Sequence, residues 1–188
     1  MIEQLLEYDT QLFLFLNNLG SEPWDGLWRF ITEKYSSIPI YLVLLYLIYK
    51  KYGWRGTGLA LLMSAIMIAA TDQLANAFKY GIQRPRPCQE EALKDLMRFA
   101  AKHCGRYGYF SGHASTSMAA AVYLGMVLRD KYKYIPFLLI LWSVILAFSR
   151  IYLGVHYPLD IITGFAFGGL IGWGTYILFQ YGLKKLPA

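Results

Sequence analysis

The sequence predicts an all-α protein, a polytopic membrane helical bundle of five to six transmembrane helices with an N-terminal interfacial helix, in a single membrane-embedded domain over residues 1–188. Composition points there first: 56% of the residues are hydrophobic and only 16% charged, a balance unusual for a soluble domain. Apolar runs of membrane-crossing length recur along the chain, and the cations fall between them. No repeat, low-complexity segment or second soluble domain interrupts that pattern. The formal charge of +6 does not imply nucleic acid, because no basic stretch is interleaved with base-stacking aromatics on a polar background.

The elements follow in order. Residues 2–19 mix Leu5, Leu6, Leu12, Phe13, Leu16 and Leu19 with Glu3, Glu7, Asp9, Asn17 and Asn18, too polar a set to span comfortably and suited to an interfacial amphipathic helix. If it inserts, the count of spans rises to six. A secretory leader needs a basic start, whereas the first charges here are Glu3 and Glu7, so no cleavage is expected. The next apolar stretch, Trp24 to about Lys50, is strongest from Ile38 to Tyr49; Pro39 is expected to kink it, and Trp24, Trp28 and Tyr35 suit an interfacial belt. Further spans are expected over Gly56–Phe78, Ser115–Leu128 extended through Ser111, Tyr134–Tyr152 and Pro158–Tyr181. Hydrocarbon offers open backbone no partner, so each must be helical. Gly125, Gly164, Gly168, Gly169, Gly172 and Gly174 are then expected as close-packing points between helices.

Short loops set the orientation. Lys50, Lys51 and Arg55 occupy one turn, Arg129, Lys131 and Lys133 another, and Lys184 and Lys185 the end; five alternating spans put all three clusters on one side. The positive-inside tendency makes that side cytoplasmic. The segment from Lys79 to His113 and the turn from Arg150 to Tyr157 therefore share the extracytoplasmic side, as in a bacterial-type cytoplasmic (inner) membrane.

Charged and imidazole side chains are costly near a bilayer, so their concentration there marks a candidate reaction site. Arg grips an oxyanion bidentately and Lys binds it as a point charge. Lys79, Arg86 and Arg150 supply three cations, and the Ser111 hydroxyl and Gly112 N–H add neutral donors, a phosphate-binding set. His113 and His156 remain as nucleophile and acid–base pair, with His103 outside the set. Asp160, four residues after His156 in the first turn of the last helix, is placed to hold one ring nitrogen and free the other for attack. His156 is thus the expected nucleophile, and His113 the acid that protonates the leaving oxygen and then the base that activates water.

These residues carry a family resemblance. Lys79, six residues, then Arg86-Pro87; Phe110-Ser111-Gly112-His113; and Ser149-Arg150, five residues, His156, three residues, Asp160 resemble, in order and spacing, the three signature elements of the type 2 phosphatidic acid phosphatase family. Phe110 stands where the family has Pro, a departure in the approach to the loop and not in a reacting group. The resemblance implies an integral-membrane lipid phosphatase, related to the vanadium haloperoxidases, working through a phosphohistidine intermediate with the same role assignment. No cofactor is expected, and the partners are a lipid phosphate and the bilayer, with no nucleic acid and no obligate protein partner.

Competing readings follow the same residues. Zinc on His113, His156 and Asp160 is disfavoured because three nearby cations repel a metal ion, so no metal is expected. Asp72, on a helical face with Asn76 and Lys79, is expected as structural support. Cys88 and Cys104, both in the extracytoplasmic loop, form a disulfide pair or remain two thiols. An anionic-lipid binding or transport protein without catalysis is the alternative function, against which stand the missing inverted repeat and an Asp-supported His that a binder has no use for. Undecaprenyl pyrophosphate, phosphatidylglycerol phosphate, phosphatidic acid and lipid A type phosphates all fit the motif set.

Overall fold

The computed structural model describes residues 1–186, and among these there is no strand. The helices are α1 (Ile2–Asn18), α2 (Glu22–Thr32), α3 (Ile38–Ile82), α4 (Gly112–Leu128), α5 (Ile135–Tyr152) and α6 (Pro158–Leu183), with short 3₁₀ turns at Lys34–Ser37, Pro87–Gln89 and Glu91–Leu93. Among the described residues three segments are long and apolar enough to cross a membrane: Tyr35–Ile82, Ile135–Tyr152 and Pro158–Leu183. The first holds two arms. Gly53, at φ 64° and ψ −167°, breaks the helix and turns the chain back beside the Lys50–Arg55 cations. The expected spans therefore correspond to residues 38–52 and 54–82, α4, α5 and α6.

Three sequence expectations need correction. The stretch from Trp24 to Lys50 is not one segment but α2, a 3₁₀ turn and the first arm of α3. Pro39 sits in the opening turn of α3, where no intrahelical N–H is lost, so it produces no kink. The glycines also divide. A Cβ on Gly164 would stand 2.8 Å from the Ser111 carbonyl oxygen, and Gly168 and Gly172 press on the Ser115 and Ala119 backbone at successive turns. This small-residue stripe lets α6 lie directly on α4, the most extensive helix pair of the bundle. Gly125 packs likewise on Pro136. Gly169 and Gly174 face open space and pack against nothing among the described residues.

Tyr123, Val127, Leu128 and Phe179 centre one core cluster in one half of the bundle. A second, with Phe13, Ala114, Ala147, Ile151, Tyr157 and Ile161, lies under the site described below. α1 enters it along one face: Asp9, Phe13 and Asn17, spaced by four residues, are all buried. Asn17 Nδ2 donates to the carbonyls of Arg98, Ile151 and Tyr152 at 3.0, 3.0 and 2.9 Å, and its Oδ1 accepts from the Arg98 N–H at 2.7 Å, docking α1 to the end of α5. Away from that row Leu12, Phe15 and Leu19 are exposed, as an apolar environment requires. α2 lies across α5 through Trp28, which stacks on Tyr152 with centroids 5.1 Å apart.

Candidate active site

The left-handed Gln83 (φ 56°) closes α3 one turn after Lys79 and sends the chain into the loop. A bridge between Pro85 and Tyr107 then clips the two ends of that loop together. Arg86 N–H donates to the Arg106 carbonyl at 3.2 Å, Gly108 N–H to the Arg84 carbonyl at 2.9 Å, and Arg86 Nε to the Tyr107 carbonyl at 3.0 Å. Cys88 and Cys104 are joined by a disulfide, with Cα atoms 6.3 Å apart, that closes the same loop. The Arg86 guanidinium lies on bare backbone: a Cβ on Gly105 would stand 3.3 Å from Cζ. A Cβ on Gly108 would stand 3.0 Å from Arg86 Cγ and 3.2 Å from Asp160 Oδ2. The aim of Arg86 is thus set by main-chain groups that no rotamer change can move.

His156 follows α5 in a short turn that uses Gly154 at φ 78°, and it is only 2% exposed. Its Nδ1 lies 3.1 Å from Oδ2 of the fully buried Asp160, which also accepts the Tyr157 N–H at 3.0 Å. A carboxylate only accepts, so Nδ1 carries the proton and Nε2 presents its lone pair. Burial, with Arg86, Arg150 and Lys79 nearby, holds the His156 pKa well below the ordinary imidazole value and keeps the ring neutral. The Ser111 N–H donates to the Asp160 carbonyl at 3.1 Å, which ties the start of α4 to the start of α6 and sets His113 facing the same space.

Cations line that space. His113 lies within electrostatic range of Arg150, His156, Arg86 and Lys79. Lys79 Nζ is 3.7 Å from where a Cβ on Gly112 would stand, so the absent side chain leaves the ammonium open to the α4 N-terminus. Arg150 donates from Nη1 to Thr32 Oγ1 at 2.6 Å, while its buried Nε has no partner among the described residues. Beyond His113 and Arg150 opens a vestibule of about 500 Å³, rimmed by Arg29, Thr32, Glu33, Lys102 and His103. Among the described residues no group of three His, Cys, Asp or Glu side chains is placed to hold a metal ion.

The eight residues singled out by sequence converge: Lys79, Arg86, Ser111, Gly112, His113, Arg150, His156 and Asp160. Ser111 is wholly buried and its hydroxyl accepts the Ala114 N–H at 3.4 Å as an N-cap, which leaves its own proton to donate. Asp72 accepts from Asn76 Nδ2 at 3.3 Å, one turn along the same helix. Phe110, in place of the family's Pro, is fully buried between Phe78 and Phe167, with centroids 5.2 and 5.4 Å away. Four participants were not foreseen. Thr32 holds Arg150, Gly108 spaces Arg86 from Asp160, and Arg84, itself bound to Asp9 at 2.7 Å, engages the far oxygen of Asp160, Nη1 standing 3.3 Å from Oδ1.

Known proteins resemble the chain along most of its length. The family model described as the PAP2 superfamily matches residues 56–184. A lipid A 4'-phosphatase of Bacteroides thetaiotaomicron is 33% identical over 191 residues, covering 100% of this chain and 82% of that protein. An undecaprenyl-diphosphatase of Sulfolobus acidocaldarius is 29% identical over 188 residues, covering 98% and 85%. The fold is that of a transmembrane PAP2-type phosphatidylglycerolphosphate phosphatase from Bacillus subtilis, at TM-score 0.72 and 18% identity over 98% of this chain and 88% of that one. With family model, relatives and fold in accord, the chain belongs to the PAP2 superfamily and is a membrane lipid phosphate phosphatase.

Proposed function

We propose that one domain, spanning the whole chain, removes the terminal phosphate of a lipid phosphate without metal, through a phosphohistidine on His156. The observation that carries this reading is the His156 Nδ1 held by buried Asp160 at 3.1 Å with Lys79, Arg86 and Arg150 close by. His156 Nε2 attacks phosphorus, forming the N–P bond as the bond to the lipid oxygen breaks, and His113, carrying a proton delivered by the acidic phosphate of the entering lipid, passes it to that oxygen. His113 then takes a proton from water, whose oxygen attacks phosphorus, breaks the N–P bond and releases inorganic phosphate. The three cations, the Ser111 hydroxyl and the Gly112 N–H stabilise the charge on the phosphoryl oxygens throughout. An anion binder needs the cations but not this histidine pair, which disfavours transport.

The substrate this geometry fits best is a phosphorylated sugar headgroup on an acylated lipid, of the lipid A type. A polar vestibule of about 500 Å³ beside His113 exceeds the needs of a bare phosphate, and the chain is 33% identical to a protein named for that substrate class. An apolar groove between α3 and α4, lined by Leu44, Met67, Thr116, Ala120 and Leu124, offers the tail a place on the lipid side. Undecaprenyl pyrophosphate is the second reading, favoured by the similarity to a diphosphatase over 98% of the chain. The cation clusters at the far end of the bundle support an extracytoplasmic site in a cytoplasmic membrane.

Phosphate release by purified protein from lipid A and undecaprenyl pyrophosphate, with chelator present, tests both readings. Turnover is expected in chelator, faster on lipid A, with labelled phosphohistidine trapped on alkaline quenching and absent from His156→Ala. Undiminished label in that variant would reverse the roles of the two histidines, and activity lost to chelator would end the metal-free reading.

A further inference from the structure

Asp160 has two carboxylate oxygens, and the mechanism above uses only one. Oδ2 faces His156 and the Tyr157 N–H, while Oδ1 lies 3.3 Å from Arg84 Nη1. Arg84 does not give its whole fork to Asp160. Its Nη2 donates at 2.7 Å to Oδ2 of Asp9 on α1, whose Oδ1 accepts the Leu159 N–H at 2.8 Å. The guanidinium also lies over the Tyr157 ring, 3.9 Å from the centroid. Both carboxylates are buried, the Asp9 side chain at 4% exposure and Asp160 at 0%, and Arg84 is 14% exposed. One arginine is thus divided between carboxylates that lie 151 positions apart in the chain.

We propose that Arg84 and Asp9 form a positioning pair that aims Asp160 at His156, which makes α1 part of the catalytic unit. The inference rests on His156 as nucleophile. A guanidinium next to a lone carboxylate engages both oxygens and draws the charge toward itself. Asp9 prevents that by holding one arm of the fork, so Asp160 keeps Oδ2 for the imidazole. That oxygen fixes the attacking tautomer and balances the positive charge that develops on the ring as the N–P bond forms. Asp9 also satisfies the Leu159 N–H, one of the unpaired donors at the start of α6, and so fixes the helix turn that carries Asp160. Arg84 touches no reacting atom and stands apart from the phosphate cradle, since its two arms are already committed to carboxylates.

Asp9→Asn separates positioning from folding. It is nearly isosteric and keeps an acceptor for Leu159, but its amide nitrogen repels Arg84 and releases the fork onto Asp160. Losses of about 10- to 100-fold in kcat are expected for Asp9→Asn and Arg84→Gln, with KM little changed and phosphohistidine forming more slowly in single turnovers, as for other groups that orient a reacting side chain. Asn17→Ala is the control. It removes the four hydrogen bonds that dock the same face of α1 and is expected to lower thermal stability while the folded fraction keeps its kcat. Wild-type kcat in Asp9→Asn would overturn the proposal, as would an equal kcat loss in Asn17→Ala, which would reduce Asp9 to a docking contact. Should Arg84→Gln fail to elute as a folded species in detergent, Asp9→Asn alone decides. If wild-type protein traps no phosphohistidine, or His156→Ala traps as much, the nucleophile assignment falls and the positioning pair falls with it, a result distinct from normal trapping with an unaffected Asp9 variant.

Discussion

At the end of the bundle where α3 turns back, Lys51 Nζ donates to the Val127 carbonyl at 2.7 Å and lies 3.4 Å from Asp130, and Lys131 Nζ reaches the Lys50 carbonyl at 3.4 Å. These ammonium groups sit on helix-end carbonyls and a carboxylate that is 69% exposed, where water and salt screen them. At the other end Lys79, Arg86 and Arg150 converge on one small space with His113 and His156, and Arg150 keeps a buried nitrogen without a partner among the described residues. The same residue types thus do different work at the two ends. Helix-end cations neutralise local carbonyls, whereas cations forced together at low dielectric hold potential that an oxyanion would relieve.

The largest separation between the ends is expected in turnover. Lys79→Ala, Arg86→Ala or Arg150→Ala should each cost about 10²- to 10³-fold in kcat/KM, the range for removing one preorganised charge-stabilising donor. Lys131→Ala and the exposed loop variant Arg106→Ala should stay within about twofold, as surface charges generally do. Rates measured on one lipid substrate at fixed ionic strength check this. Comparable losses at Arg86 and Arg106 would mean a diffuse electrostatic funnel in place of a defined cradle. Arg98 does not serve as a neutral comparison, although no motif contains it: its Nη2 binds the Asp25 carboxylate at 3.1 and 3.2 Å, and its main chain is clasped by Asn17.

Much of this was legible in the chain because it is local. Hydropathy marks the spans, the cation clusters mark the turns, and the three motif spacings bring each reacting group to the start or end of a helix. Long-range pairing was not legible. Asp9 reads as one more polar residue of an interfacial helix, and only the spacing Asp9, Phe13, Asn17 hinted at a face turned inward. Arg84 stands two residues before Arg86 in an Arg-Pro-Arg-Pro run, where a motif spacing selects one arginine and says nothing of the other. Pro39 misled because a proline in the first turn of a helix and one that kinks a span look alike until the helix start is known.

A smaller effect sharpens the comparison from the backbone side. Gly108→Ala places a methyl 3.0 Å from Arg86 Cγ and 3.2 Å from Asp160 Oδ2, closer than most such contacts, so Arg86 or the carboxylate must yield by a few tenths of an ångström. A loss of about tenfold in kcat is expected, because small misplacements of an orienting group are costly. Gly112→Ala meets only ordinary contacts at 3.7 Å from Ala75 Cβ and Lys79 Nζ and should cost less. Kinetics of the two variants side by side give the ranking, and a reversed order would show that Gly112 needs its bare Cα to admit phosphate.

The last test leaves the rate untouched and asks which way the two ends face. In a background lacking Cys88 and Cys104, single cysteines at Ala92 and at Asp130, both exposed, report the loop side and the opposite turn. Val155 lies beside the site but is fully buried and would report packing instead. With a membrane-impermeant thiol reagent added to intact cells, Ala92→Cys should label and Asp130→Cys should not until the cells are opened, because Arg129, Lys131 and Lys133 flank Asp130 and short basic turns stay in the cytoplasm. The opposite pattern would invert the protein. Its phosphatase site would then face the cytoplasmic leaflet, where thiols are kept reduced, and the Cys88–Cys104 bond that closes the loop around Arg86 would lose the oxidising compartment it depends on.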